Sequence, residues 1–113
     1  MRVHNELGNG FQEVIYQRAL EIEMTFEGIS FEREREMSIF YRNIQIGERR
    51  VDFFIAGLIM VEIKAIAVLG DVHLAQGINY LEAYNVEAGL LINFGSQSLT
   101  FKRLFNKKFK SVL

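Results

Sequence analysis

A chain of 113 residues, half of them hydrophobic and with a formal charge of -1, has enough apolar mass for one core, and we expect a single domain over residues 1–113. The absence of cysteine excludes a disulfide framework and a thiolate zinc site, and the near-neutral charge excludes a surface that is basic throughout. The opening MRVHNELGNG is polar, and the most apolar stretch, GLIMVEIKAIAVLG, is short and broken by Glu62 and Lys64, so we expect neither a secretory leader nor a membrane span, and a cytoplasmic location.

Within residues 11–26, Phe11, Val14, Ile15, Ala19, Ile22 and Phe26 recur at three- and four-residue steps, which predicts an amphipathic helix. Asn9 is its expected N-cap, with Gln12 closing a capping box. Gly28 and Ser30 break that period, and residues 31–41 alternate, with Glu32, Glu34, Glu36 and Ser38 on one face of a strand. Arg42 and Asn43 suit a turn, after which residues 44–46 and 51–55 predict a second strand, bent near Gly47. A tight connection at Ala56 and Gly57 leads to residues 58–67, apolar apart from Glu62 and Lys64, as in a central strand buried on both faces.

Gly70 and Asp71 end that run, and Asp71 caps a helix to about Tyr84 with Val72, Ala75 and Ile78, and further Leu81 and Ala83, facing inward. Residues 88–94 and 98–105 read as strands, and fraying is expected beyond Asn106. The order helix, three strands, helix, strand, strand predicts an α/β domain: an antiparallel meander, then a right-handed crossover into a mixed sheet flanked by helices.

Glu62 and Lys64, two apart on a strand, leave the same face, while Val61, Ile63 and Ala65 fill the other. Burying either charge unpaired costs several kcal/mol, so something polar must await them. Asp52 lies on the preceding strand as the one charge within VDFFI. A two-residue turn pairs Asp52 with Val61, whereas a three-residue loop through Leu58, with Gly57 left-handed, pairs it with Glu62. Two carboxylates beside a backbone carbonyl are the hard oxygen donors that Mg2+ or Mn2+ takes when it keeps waters and accepts a phosphate oxygen. Lys64 adds positive charge able to position a water or stabilise a transition state. The structural alternative, an ion pair between Lys64 and either acid, explains the charges less well, because buried pairs are weak stabilisers.

Asp52 followed by Glu62-Ile63-Lys64 resembles the signature of the PD-(D/E)XK nuclease superfamily. Gly10-Phe11-Gln12-Glu13-Val14-Ile15-Tyr16 is similar to the GxxExxY motif of one small bacterial family within it. The likeness runs over nearly the whole chain, through Val3-His4, Leu7-Gly8, Gly47-Glu48, Arg50, His73, Gln76 and the segment Gly89-Leu90-Leu91-Ile92-Asn93-Phe94. It implies a restriction-endonuclease-like core with the same order of elements. It further implies metal held by Asp52, Glu62, the carbonyl of Ile63 and Glu13, with Lys64 and Gln76 assisting catalysis. Nucleic-acid contacts would come from Tyr16, Arg50, His73 and Tyr80, and Gln76 with Tyr80 resembles the QxxxY element of recombination helicase-nucleases. The chain departs from the family at Gly77, where a larger apolar residue is usual, and in having little helix before Val3.

The resemblance therefore implies a Mg2+- or Mn2+-dependent nuclease (phosphodiesterase) acting on nucleic acid, DNA before RNA. So small a domain has little surface for sequence readout, which leaves a role for a homodimer or a partner protein. Arg33, Arg35, Arg49, Arg50 and the tail residues Lys102, Arg103, Lys107, Lys108 and Lys110 are candidate phosphate contacts, the tail also reading as a solvated end. The competing expectation is a non-catalytic binding or assembly module with the same fold, for which Phe109, Val112 and Leu113 would suit protein contacts.

Overall fold

The computed structural model describes residues 1–111, in the order α1 (Arg2–Leu7), α2 (Glu13–Phe26), β1 (Phe31–Tyr41), β2 (Ile44–Ile55), β3 (Ile59–Lys64), α3 (Asp71–Tyr84), β4 (Ala88–Asn93) and β5 (Thr100–Phe105). The strands lie side by side in chain order. β3 and β4, the pair joined through α3, are parallel, and every other neighbouring pair is antiparallel. The expected mixed sheet flanked by helices is what forms. Val112 and Leu113, named above for protein contacts, lie outside the described residues.

Turn chemistry sets the registers. Arg42 (φ 48°) and Asn43 (φ 62°) are both left-handed, the conformation of a two-residue hairpin turn, and Tyr41 pairs with Ile44. The register shifts between Ile39 and Phe40, whose partners are Gly47 and Gln45, so Ile46 is an extra residue and the bend near Gly47 is a bulge in one continuous strand. Ile55 pairs with Ile59 and Phe53 with Val61, which closes the second hairpin through Ala56, Gly57 (φ 68°) and Leu58. Of the two connections open from the sequence, the longer one forms.

β3 ends at Lys64, short of the expected run through Ala67, because the buried side chain of Asn93 captures the chain beyond it. Asn93 Oδ1 accepts the Ile66 N–H at 3.0 Å and Nδ2 donates to the Ile66 carbonyl at 2.9 Å. A Cβ on Gly95 would collide with the backbone of Ala65 and Ile66, so these segments sit closer than a side chain permits.

The sheet separates two cores. Val3 of α1 and Tyr16, Leu20 and Met24 of α2 pack with Phe53, Val61, Ile63, Ile92 and Phe94 on one face. Leu81 of α3 packs with Val51, Phe54, Met60, Leu91 and Leu104 on the other. α1 was not expected from periodicity, which a six-residue helix is too short to display.

Both longer helices turn inward a face that only partly matches the one predicted: Ala19 of α2 and Ile78 and Leu81 of α3 pack on the cores as expected, and the other predicted positions do not. α2 starts at Glu13 with Gln12 as its N-cap, not Asn9, and no side chain caps it. It buries Tyr16, Gln17, Leu20 and Met24, while Phe11, Val14, Ile15 and Ile22 are exposed and Phe26 is 83% exposed. The predicted stripe favoured aliphatic and Phe positions; the real one includes Tyr16 and Gln17, whose polar atoms find partners inside. α3 buries Leu81 with Leu74 and Ile78 packed alongside, whereas Val72 is 71% exposed and Ala75 and Ala83 face solvent. Its Gly77 is buried against Leu104 and Leu91, where an added Cβ would strike Leu104, so the departure at Gly77 is a close helix-to-sheet approach.

The expected fraying beyond Asn106 does not occur through Lys110. Asn106 is buried and donates to the carbonyls of Leu81 and Val86, and Asn85 exchanges two hydrogen bonds with the Lys110 backbone.

Candidate metal centre

Besides the bulge at Ile46, strand alternation fails at Glu34, and the polar cluster gathers near it. Glu34 lies in β1 with φ 55°, a left-handed residue in extended chain, so the expected single face through Glu32, Glu34, Glu36 and Ser38 is interrupted. Before it, Arg33 turns towards α2, pairing with Glu21 at 3.3 Å and donating to Gln17 at 3.1 Å. After it, Arg35 lies over the ring of Phe54 in the α3-side core. On β2 the same switch puts Phe53 in one core and Val51 in the other, with Asp52 between them.

The last β2–β3 pair is Phe53 with Val61, and one further step sets Asp52 opposite Glu62. There the ladder gives way to a side chain: Asp52 Oδ2 accepts the Ile63 N–H at 2.7 Å, and Oδ1 accepts from Gln17 Nε2 at 3.4 Å. Gln17, which carries no motif, links Arg33 to this carboxylate.

Glu62 is 4% exposed. Burial pushes its carboxyl up to about 8; the neighbouring Asp52 adds to the rise by its charge and by accepting a hydrogen bond from the protonated carboxyl, and Arg49 and Lys64 oppose it. Arg49 Nη2 meets Glu62 Oε2 at 3.3 Å, while Glu62 Oε1 is buried with no hydrogen-bond partner. The Arg49 guanidinium also lies over the Tyr80 ring, 4.3 Å from its centroid. Tyr80 accepts a hydrogen bond from Gln76 Nε2 at 3.3 Å and stacks on Tyr84 at 6.2 Å. The Tyr84 hydroxyl is raised, chiefly by burial, and Arg49 opposes the rise. Gln76 thus reaches the cluster through Tyr80 and Arg49 rather than directly.

Glu13, at the first turn of α2, is solvent-accessible, yet partial desolvation raises its carboxyl; Lys64 opposes that rise and Asp52 reinforces it. Among the described residues the salt bridges are Arg33–Glu21, Arg35–Glu32, Arg49–Glu62, Arg50–Glu36 and Lys108–Glu82. Lys64 is absent from them, so the ion pair considered from sequence forms with Arg49 in its place.

No group of three or more His, Cys, Asp or Glu among the described residues converges tightly enough to cage a metal by itself. Mg2+ and Mn2+ do not need such a cage, since they bind through one or two carboxylates and keep several waters. Asp52 and Glu62, the latter with an unpartnered oxygen, fit that donor set, and Glu13 does not complete a third vertex.

Other expected contacts lie elsewhere. Tyr16 is fully buried, stacks on Phe94 at 4.6 Å, donates to the Gly8 carbonyl at 2.6 Å and accepts the Phe11 N–H at 3.1 Å. It ties the chain between α1 and α2 and has no face left for nucleic acid. Arg50 points away from Glu62 and pairs with exposed Glu36 at 3.2 Å. His73 closes the first turn of α3, its Nδ1 accepting the Gly70 N–H at 3.0 Å.

Comparison with known proteins agrees with this architecture. The crystal structure of SSO0001 superposes with a TM-score of 0.62 at 22% sequence identity, covering 83% of this chain and 50% of that one, a likeness of fold. The chain therefore spans half the length of that structure. No curated protein matches the sequence. Among the described residues no helix is long and apolar enough to cross a membrane. The profile of the PD-(D/E)XK nuclease superfamily matches residues 1–104, and the chain belongs to that superfamily.

Proposed function

We propose that this protein is a divalent-metal-dependent nuclease that hydrolyses phosphodiester bonds of nucleic acid, DNA before RNA, and that it falls in the GxxExxY branch of its superfamily. Glu62 carries the reading: a buried carboxyl raised to about 8 with one orphaned oxygen, beside Asp52 and on the same strand as Lys64. Buried carboxylates are rarely left half-satisfied, and strongly shifted ones cluster at functional sites.

Asp52, Glu62 and the carbonyl of Ile63 would hold Mg2+ or Mn2+, which when bound supplies a water of lowered pKa and polarises a phosphate oxygen. Asp52 is pre-oriented for this by the Ile63 N–H and Gln17. Lys64 orients the attacking water and balances the charge that develops on the phosphate. Glu13, close enough to feel the charges of Lys64 and Asp52, would add negative charge from α2 to a site holding the cation. Gln76 and Tyr80 act through Arg49.

The test is cleavage of labelled single-stranded, duplex and branched DNA, and of RNA, with Mg2+ or Mn2+, comparing wild type with Lys64→Ala and with EDTA. Cutting that disappears in both controls establishes the centre and its substrate together. Wild type that cuts nothing and shows no metal-induced change in melting temperature ends the enzyme reading. A second reading, an assembly module, is favoured by the exposed Phe40, Tyr41, Ile44 and Ile46 at the tip of the β1–β2 hairpin, and predicts a protein partner in that case.

A further inference from the structure

Arg49 has two seats, and only one of them is an anion. Its guanidinium touches a single oxygen of Glu62, leaving Glu62 Oε1 and its own Nε buried without hydrogen-bond partners. A planar guanidinium can bind a carboxylate through two parallel N–H bonds, so this pair is far from its best geometry. Its second seat, the Tyr80 ring at 4.3 Å, does not depend on Glu62; Gln76 bonds the Tyr80 hydroxyl and Tyr84 stacks on its ring. The ring attracts the cation without using its donors in the guanidinium plane.

We propose that Arg49 is the stand-in counter-ion of Glu62 wherever that carboxyl is ionised in the metal-free protein, and that it becomes a clamp for a substrate phosphate when a divalent cation takes that carboxylate. The proposal rests on the metal-dependent reading above. Once Glu62 is committed to the cation, Arg49 stays on the Tyr80 face and its N–H donors become available to an anion beside the metal. A phosphate oxygen is the anion that chemistry places there, and the guanidinium fork matches it. The left-handed Glu34 is part of the device, because it accompanies the change of face that brings Arg49, and not Arg50, to Glu62. Metal and nucleic acid then bind with positive coupling through one side chain.

The test uses the full chain and Ca2+ as a probe, titrated by calorimetry at alkaline pH so that protonation of Glu62 does not compete. Arg49→Gln is expected to bind Ca2+ about five- to tenfold more tightly than wild type, the scale of one partly buried ion pair, and Arg49→Lys to stay near wild type. Anisotropy of a short labelled single-stranded DNA should show Arg49→Gln about tenfold weaker in Ca2+ and unchanged in EDTA. Tyr80→Leu, which leaves the ion pair intact, should keep the wild-type Ca2+ isotherm and lose the Ca2+-dependent part of DNA binding. Unchanged or weaker Ca2+ binding by Arg49→Gln overturns the stand-in role, and equal DNA losses in EDTA and Ca2+ overturn the release. Wild type that takes up no Ca2+ and shows no melting shift with Mg2+ overturns the metal reading and this inference with it.

Discussion

Asp52 accepts the backbone N–H of Ile63 at 2.7 Å, so a carboxylate oxygen replaces a ladder bond at the place where β2 and β3 part. Asp52→Ala strands that N–H beside the buried Ile63 and is expected to cost about 1–3 kcal/mol. Asp52→Asn keeps an acceptor and should cost less. If the carboxylate binds metal, both variants lose the rise in melting temperature that Mg2+ gives wild type, so paired melts with and without Mg2+ separate folding from ligation. A full Mg2+ shift in Asp52→Asn would remove Asp52 from the ligand set.

Glu62 makes stability depend on pH. Its carboxyl is raised from the ordinary 4.5 to about 8, so the folded state holds the proton more tightly than the unfolded one. The stabilisation this gives is fully present below pH 4.5 and is lost as pH rises through about 8, amounting to a few kcal/mol at most. Metal-free protein should show that decline in urea melts, and Glu62→Gln should flatten it. Metal affinity must run the opposite way, rising towards about 8 as the carboxylate ionises.

Gly77→Ala should destabilise although alanine is the better helix former by about 1 kcal/mol. The new Cβ meets Leu104, and overpacking of this kind costs about 1–3 kcal/mol. A melting temperature below wild type, restored in part by Leu104→Ala, is the expected result.

Tyr16→Phe keeps the ring on Phe94 but removes the hydroxyl that bonds Gly8 and Phe11. It should cost about 1 kcal/mol or somewhat more and leave nucleic-acid affinity unchanged. A large loss of affinity at unchanged stability would return Tyr16 to the binding surface.

Much of the fold was legible because it rests on local rules. Two left-handed residues at Arg42 and Asn43, a bulge near Gly47 and a crossover helix between two parallel strands all follow from turn residues and element order. The helix faces were less legible. Exposed Ile22 and Phe26 and buried Tyr16 and Gln17 invert a hydrophobicity count, since a buried hydroxyl or amide is stable once its partners are in place. Those partners, Gly8 and Asp52, are visible only after folding. The order beyond Asn106 likewise depends on Asn85 and the end of α3, whose bonds to Lys110 and Asn106 each span 25 residues of chain.

The sequence by itself determined the order of elements and the anomaly at Asp52, Glu62 and Lys64, because period-two alternation and the cost of buried charge are properties of neighbours along the chain. Tertiary structure alone decided which three-dimensional partners those charges have. The choice of a three-residue loop set Asp52 beside Glu62, one left-handed residue at Glu34 interrupted the strand alternation, and Arg49 rather than Lys64 became the cation at the buried carboxylate. Register and face are discrete, so a single turn residue or dihedral redirects every side chain beyond it.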